Sequence, residues 1–377
     1  MSKRIETGNT ACAMAVQAAG VDYVAAYPIT PQTTLSEWLA KNAVTGEFSG
    51  KYVLVESEHS AMSAISAASA AGARTFTATS SQGLLHMHEI MHYASGGRLP
   101  VVMANINRAV LAPWCLYADH QDSISQRDTG WLQLFCSCHQ EIYDSVFLAY
   151  KVAEKTDIPV MISYDGFLLS HSLLPFETVE DSIIKKFLPD RNPAWRLHPE
   201  MVSNFSNVAM AAEYSAYRHR LADDTLASLK VFRDSIHEYE HLTGRKQPGL
   251  IEACCDKEAD VYLLSMGSMA SEMELVAKEL TKQGVNTAAL KLRLYRPFPA
   301  EELSEILPEG STLVVLDRNI AYGHPGGVLL MEARSALYDC FKGIRVVGSS
   351  VGLGGVDLTV SVLLDEVKRL LEVAKDE

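Results

Sequence analysis

Between residues 10 and 165, short apolar runs alternate with longer stretches in which small and apolar residues recur at helical spacing, the pattern of βαβ units around a mostly parallel sheet. The runs predict strands at 21–27 (VDYVAAY), 51–56 (KYVLVE), 74–79 (RTFTAT), 100–106 (PVVMANI) and 158–164 (IPVMISY). Helices are expected between them, over roughly 10–19, 33–43, 58–72, 84–95 and 139–156. The helix from Glu58, EHSAMSAISAASAAG, is short of side-chain bulk, which suits close packing on the sheet, close approach of a flat ligand, or both.

Residues 171–255 break the alternation. Prolines at 174, 189, 193 and 199 fragment the first part, and a long helical pattern over about 207–243 runs up to GRKQPG. From Asp260 the alternation resumes through VYLLSMG, ELVAKEL, NTAALKLRL, TLVVLDR, a helix after GHPGG, IRVVGSSVG and an amphipathic helix over 358–374. Three regions are therefore expected: a parallel-sheet domain over 1–175, a crossover segment with a long helix over 176–255, and a smaller α/β domain over 256–377.

The composition narrows the function. With 377 residues there is room for two or three full cores. A formal charge of −13 and a pI near 5.4 argue against binding nucleic acid or an anionic membrane. No apolar run is long enough to span a bilayer and MSKRIETGNT lacks a signal peptide's apolar core, so a cytoplasmic location is expected. The cysteines at 12, 115, 136, 138, 254, 255 and 340 have neither the density of a disulfide framework nor the spacing of a zinc or iron–sulfur site, so no metal is assigned to this chain.

In open parallel sheets ligands bind beyond the carboxyl ends of the strands, which directs attention to Tyr27-Pro-Ile-Thr30, Glu56-Ser-Glu58, Ser80-Ser-Gln82-Gly83 and Asn107-Arg108. Pro28 and Pro31 stiffen the chain around Thr30, as in a loop that holds a hydroxyl in place; a proline turn with a helix cap at Thr30 or Thr33 is the plainer reading. Glu58, between an apolar strand and an apolar helix, is a partly buried carboxylate suited to sharing a proton, or simply an acid favoured at a helix N-terminus. Glu56 shares its strand face, and periodicity does not choose between the two. Arg108 can fork onto a carboxylate ligand or pair with Asp119 or Asp122. The cluster Asp119-His-Gln-Asp122 with Arg127-Asp-Thr-Gly130 either shapes a pocket or ties a loop, and His86, His88 and His92 lack the positioned acid of a zinc protease motif.

In order, GNTA, YPITPQT, ESEHSA, TATSSQGL, NRA, DHQDSISQRDTGW and YDGF, then LRLYRPFP, VLDR and GLGGVD, this sequence resembles the α subunits of 2-oxoacid:ferredoxin oxidoreductases, most closely the pyruvate enzymes. The resemblance covers nearly the whole chain and is weakest in the crossover segment. It implies an α/β fold in which a thiamine diphosphate-binding domain of the pyrimidine type is followed by a smaller transketolase C-terminal-like domain. It implies oxidative decarboxylation of a 2-oxoacid, with coenzyme A as co-substrate and ferredoxin as electron acceptor. A β subunit would supply the diphosphate-binding half of the cofactor site and its Mg2+, and partner subunits, among them γ and ferredoxin-like chains, the [4Fe-4S] clusters. In keeping with this, the chain has no GDG followed by a suitably spaced Asn.

The resemblance also implies roles. Glu58 would hydrogen-bond N1′ of the cofactor's aminopyrimidine, Thr30 and Arg108 would hold the substrate carboxylate, and Tyr27, Pro28, Ile29, Gln82 and Gly83 would line the cofactor. LRLYRPFP and GLGGVD are carried over as recognition marks only. The stretch AVLAPWCLYA, with Trp114, Cys115 and Tyr117, matches the pyruvate enzymes loosely and leaves branched-chain or aromatic 2-oxoacids open. A non-catalytic assembly subunit is the rival from another class; the presence of Glu58, Thr30 and Arg108 together speaks against it.

Overall fold

Strands and helices account for most of the chain in the computed structural model, which describes residues 2–376 except 202, 203, 206, 255–257 and 341. Strand β1 (Ser2–Thr7) leads into α1 (Gly8–Ala18), β2 (Tyr23–Ala26), α2 (Thr33–Thr45), β3 (Lys51–Leu54), α3 (Glu58–Ala70), β4 (Thr75–Thr79), α4 (Gln82–Gly96) and β5 (Val102–Asn107). A single-turn helix α5 (Gln121–Ile124) precedes β6 (Leu132–Phe135), α6 (His139–Thr156) and β7 (Val160–Asp165). Then come β8 (Leu173–Thr178), α7 (Asp181–Phe187) and the 33-residue α8 (Ala211–Thr243). The last part holds β9 (Ile251–Cys254), β10 (Val261–Ser265), α9 (Met269–Lys282), β11 (Thr287–Leu292), β12 (Leu294–Arg296), α10 (Ala300–Ile306), β13 (Thr312–Asp317), α11 (Val328–Leu337), β14 (Arg345–Ser350) and α12 (Val360–Asp376).

Seven strands form the first sheet in the order β12-β6-β7-β5-β4-β2-β3, parallel except for β12. Five form the second, β14-β13-β10-β11-β9, parallel except for β9. The strands β1 and β8 pair apart from both as an antiparallel ribbon. The expected α/β architecture is present, with two differences in detail. The tripeptide β12, in the text of the second domain, closes the edge of the first sheet, and β9, in the text of the crossover segment, closes the edge of the second. The expected boundary at 255/256 and Cys255 lie outside the described residues.

The crossover segment does not stand free. Helix α8 packs on α6, and Asp144 of α6 gathers the Tyr239 hydroxyl (2.6 Å), the Gln247 amide (2.9 Å) and the Arg245 guanidinium. The small residues of α3 serve packing: the helix lies against β2, β4 and α4 with Ala61, Ser66 and Ser69 buried.

Second-domain residues also reach the first domain at a buried carboxylate. Asp165, at the end of β7, accepts from Arg318 Nη1 (2.8 Å) and the Ser268 amide (2.7 Å), and its Oδ1 lies 3.0 Å from His120 Nε2. Burial pushes its pKa up, but Arg318 and His120 outweigh that and hold the carboxyl well below the usual carboxylate range. A group whose pKa is lower folded than unfolded stabilises the fold fully above its unfolded value, about 3.9, and loses that contribution progressively as pH falls from there through its folded value. Asp165→Asn leaves Arg318 buried without its counter-charge, which should cost about 3–5 kcal/mol. Its melting temperature should fall well below wild type near neutral pH, with the gap narrowing in acid; equal melting near neutrality would refute this.

Candidate functional site

The carboxyl ends of β2, β3, β4 and β5 lie along one side of the first sheet, and each contributes a side chain or a turn. At the end of β2 the YPITPQT loop is held from two sides. Asn9 of α1 donates to the Pro31 carbonyl (2.8 Å) and Thr34 Oγ1 (2.7 Å), and is itself held by the Tyr164 hydroxyl (2.9 Å). Gly166 lies so close that a Cβ there would stand 2.8 Å from Pro31 Cγ and 2.6 Å from the Asn107 carbonyl. The motifs GNTA and YDGF thus both serve this loop. Thr30 caps no helix: the N-cap of α2 is Gln32.

At the end of β3 the two glutamates differ in burial. Glu56 is exposed and hydrogen-bonded to Ser60, whereas Glu58 is buried in the first turn of α3, behind the cap that Ser57 Oγ provides for the Ser60 amide (3.2 Å). The first turn of α4 packs directly over it. A Cβ on Gly83 would lie 2.7 Å from Glu58 Oε1 and collide with Thr79 Oγ1, so any larger residue there has to push those side chains aside. Glu58 Oε2 lies 3.2 Å from His86 Nδ1.

At the end of β5, Arg108 is buried, and its guanidinium donates to the Thr30 carbonyl (2.6 Å) and to Gln82 Oε1. Among the described residues it forms no ion pair with Asp119 or Asp122, and Nε has no partner. Burial lowers its pKa, with Asp122, Cys115 and Glu58 acting the other way. Thr30, Gln82, Gly83, Glu58 and Arg108 are therefore joined by direct contacts. Tyr27, Pro28 and Ile29 flank Thr30 on the loop, Tyr27 and Pro28 exposed and Ile29 half-buried; Ile29 donates its amide to Gln32.

Asp122 supports this arrangement from beneath. Fully buried, it accepts from the amides of Ser81 (3.0 Å), Arg108 (3.1 Å) and Ser123 (2.8 Å) and from the side chains of Asn105 (3.0 Å) and Asn107 (2.8 Å). Desolvation pushes its pKa up while these donors pull it down. Ser81 is held at φ 49°, ψ −119°, a strained backbone for serine that this bond and that from its Oγ to the Ala109 carbonyl (2.6 Å) keep in place. The DHQD cluster thus ties loops together. Its Asp122 role and the His86 contact escaped the sequence reading; the spacing Gly83 to His86, one helical turn, was the available signal.

The loop after Arg108 is closed by the Ala109 amide on the Tyr117 carbonyl (3.0 Å) and leaves Leu111, Trp114, Leu116 and Tyr117 exposed. The GLGGVD turn of the second domain grips it: Cys115 Sγ donates to the Gly354 carbonyl (3.3 Å), and the Gly354 amide donates to Asp119 (3.2 Å). No helix among the described residues is long and apolar enough to cross a membrane.

Residues 14–235 match the family described as pyruvate flavodoxin/ferredoxin oxidoreductase, thiamine diphosphate-binding, and residues 259–363 match pyruvate:ferredoxin oxidoreductase core domain II. The pyruvate synthase subunit PorA of Methanocaldococcus jannaschii is 42% identical over 99% of this chain and 96% of its own length. The ketoisovalerate oxidoreductase subunit VorA of Pyrococcus abyssi is 41% identical over 99% of this chain and 95% of its own. Among solved structures, 2-oxoglutarate:ferredoxin oxidoreductase from Magnetococcus marinus, with 2-oxoglutarate, coenzyme A and succinyl-CoA bound, superposes with a TM-score of 0.72 at 18% identity, over 98% of this chain and 65% of that one. That likeness shows the fold. By the match of its sequence, the chain belongs to the pyruvate flavodoxin/ferredoxin oxidoreductase family, and its first domain is the family's thiamine diphosphate-binding domain.

Proposed function

We propose that this chain is the α subunit of a thiamine diphosphate-dependent 2-oxoacid:ferredoxin oxidoreductase, converting pyruvate and coenzyme A to acyl-CoA, CO2 and reduced ferredoxin. The observation that carries the reading is the buried carboxylate of Glu58 pressed against Gly83, within electrostatic reach of the Arg108 guanidinium.

The residues fit the group the family implies. Thr79 Oγ1, Ser80 Oγ and Arg108 Nε are buried without protein partners at the ends of β4 and β5, and the glycine at 83 keeps the space beside Glu58 Oε1 clear of a side chain. Glu58 would hold N1′ of the aminopyrimidine, with Gln82, Gly83, Tyr27, Pro28 and Ile29 around it. Thiamine diphosphate, when bound, supplies the carbon nucleophile and electron sink that decarboxylation of a 2-oxoacid needs. Arg108 and Thr30 position the carboxylate that leaves as CO2, and the half-dry surroundings of Glu58 strengthen its hydrogen bond to the base.

The β subunit with the diphosphate half-site and Mg2+, the γ and ferredoxin-like subunits with [4Fe-4S] clusters, ferredoxin as acceptor and a cytoplasmic location belong to the same proposal. So do the domain limits 1–175, 176–255 and 256–377. A second reading of the substrate, a branched-chain 2-oxoacid, is favoured by the apolar side chains Leu111, Trp114 and Leu116 exposed just beyond Arg108, and the relatives named for pyruvate and for ketoisovalerate stand at near-equal identity. A 2-oxoacid panel read by viologen reduction in the assembled complex decides between them.

The purified chain alone should bind no thiamine diphosphate by calorimetry and should bind it once the β subunit is added; tight binding by the chain alone would overturn the shared-site reading. In the complex, Arg108→Ala should raise KM for every 2-oxoacid by about 10- to 100-fold, the worth of a charge-assisted pair. Glu58→Gln should instead lower kcat by about 100-fold or more with KM little changed. Gly83→Ala should fold normally yet lose cofactor affinity, because its methyl displaces Glu58; unchanged affinity would show that the cofactor does not use this carboxylate.

A further inference from the structure

The two oxygens of Glu58 have different neighbours. Oε1 lies beside Gly83 and the orphaned Thr79 hydroxyl, while Oε2 lies 3.2 Å from His86 Nδ1. His86 follows Gly83 by one turn of α4, so the helix that clears space over one oxygen carries the ligand of the other. The charged groups around the pair are few. The His59 ring from α3 lies 6.0 Å from that of His86, Glu89 of α4 stands 3.5 Å from His59 Nε2, and the Arg108 guanidinium is within electrostatic reach of Glu58.

A carboxylate that shares a proton with a bound base alternates between two charge states. A partner that can only donate, such as an amide N–H or an ammonium, favours the ionised one. A neutral imidazole Nδ1–H carries no full charge to impose that bias, and the proton shared with the base sits on Oε1, so Oε2 accepts from Nδ1–H whether the carboxyl is ionised or protonated. The Nδ1 proton stays on the Oε2–Nδ1 line in either case, and neither side chain has to move.

We propose that His86 is the positioning residue of Glu58, fixing Oε2 through a hydrogen bond that holds in both charge states and so leaving Oε1 aimed at the aminopyrimidine. This rests on the role given to Glu58 above. His86 is half exposed, so its replacement leaves the core intact.

The test uses the assembled, substrate-free complex loaded with thiamine diphosphate. Exchange of the cofactor's C2 proton for deuterium is followed by acid quench and proton NMR, and cofactor affinity by calorimetry. His86→Leu, which keeps bulk and removes the nitrogen, should slow exchange by about tenfold or more while cofactor affinity stays near wild type. His86→Asn, which restores a polar atom near the Nδ1 position, should recover most of the rate. Wild-type exchange in the leucine variant, or an asparagine variant as slow as leucine, overturns the proposal. Glu58→Gln separates the two levels: slow exchange there with an unaffected leucine variant removes only the His86 role, whereas wild-type exchange in Glu58→Gln removes the Glu58 reading itself.

Discussion

A buried carboxyl group held by amide donors organises this molecule. Asp122 is out of reach of water and forms no ion pair among the described residues; its oxygens are met by amide donors from Ser81, Arg108, Ser123, Asn105 and Asn107. Such a group is tolerated only where every lone pair is met, so the ends of β4 and β5 cannot drift apart without stranding it. The strained backbone at Ser81, the start of α4 and the base of Arg108 all hang on that requirement. The chemistry at Glu58 depends on it at one remove, since α4 brings Gly83 and His86 to that side chain.

Much of the architecture was legible as alternation. Strands β2, β3, β4, β5 and β7 lie within two residues of the ends that their runs of apolar and β-branched residues predict, and β4, β5 and β7 are buried along their whole length. Two strands of the same sheet were not legible. In β6 the run LQLF is four residues long and broken by Gln133, which is buried because its side chain donates to the Ser123 carbonyl (3.2 Å). In β12 the residues Leu294–Arg296 merge with the preceding strand in the text, and only their partner, far away in the sequence, separates them.

The candidate site was legible to the extent that it is local. Strand ends pointed to Thr30, Glu58, Gln82, Gly83 and Arg108, and those residues are in contact. What joins one strand end to another was not legible. Nothing in DHQDS distinguishes Asp122 as a shared acceptor from Asp119 as the anchor of the Gly354 turn, because the difference lies in which loops arrive from elsewhere. His86 escaped for a similar reason: starting the helix at 84 rather than at Gln82 hides that its first turn and its second face the same carboxylate.

The three residues of β12 deserve a last consequence. They return from the second sheet to complete the first, so the two halves are stitched through main-chain bonds. Splitting the gene between them would strip a rim from its sheet and bare the outer edge of β6 to any chain able to pair with it.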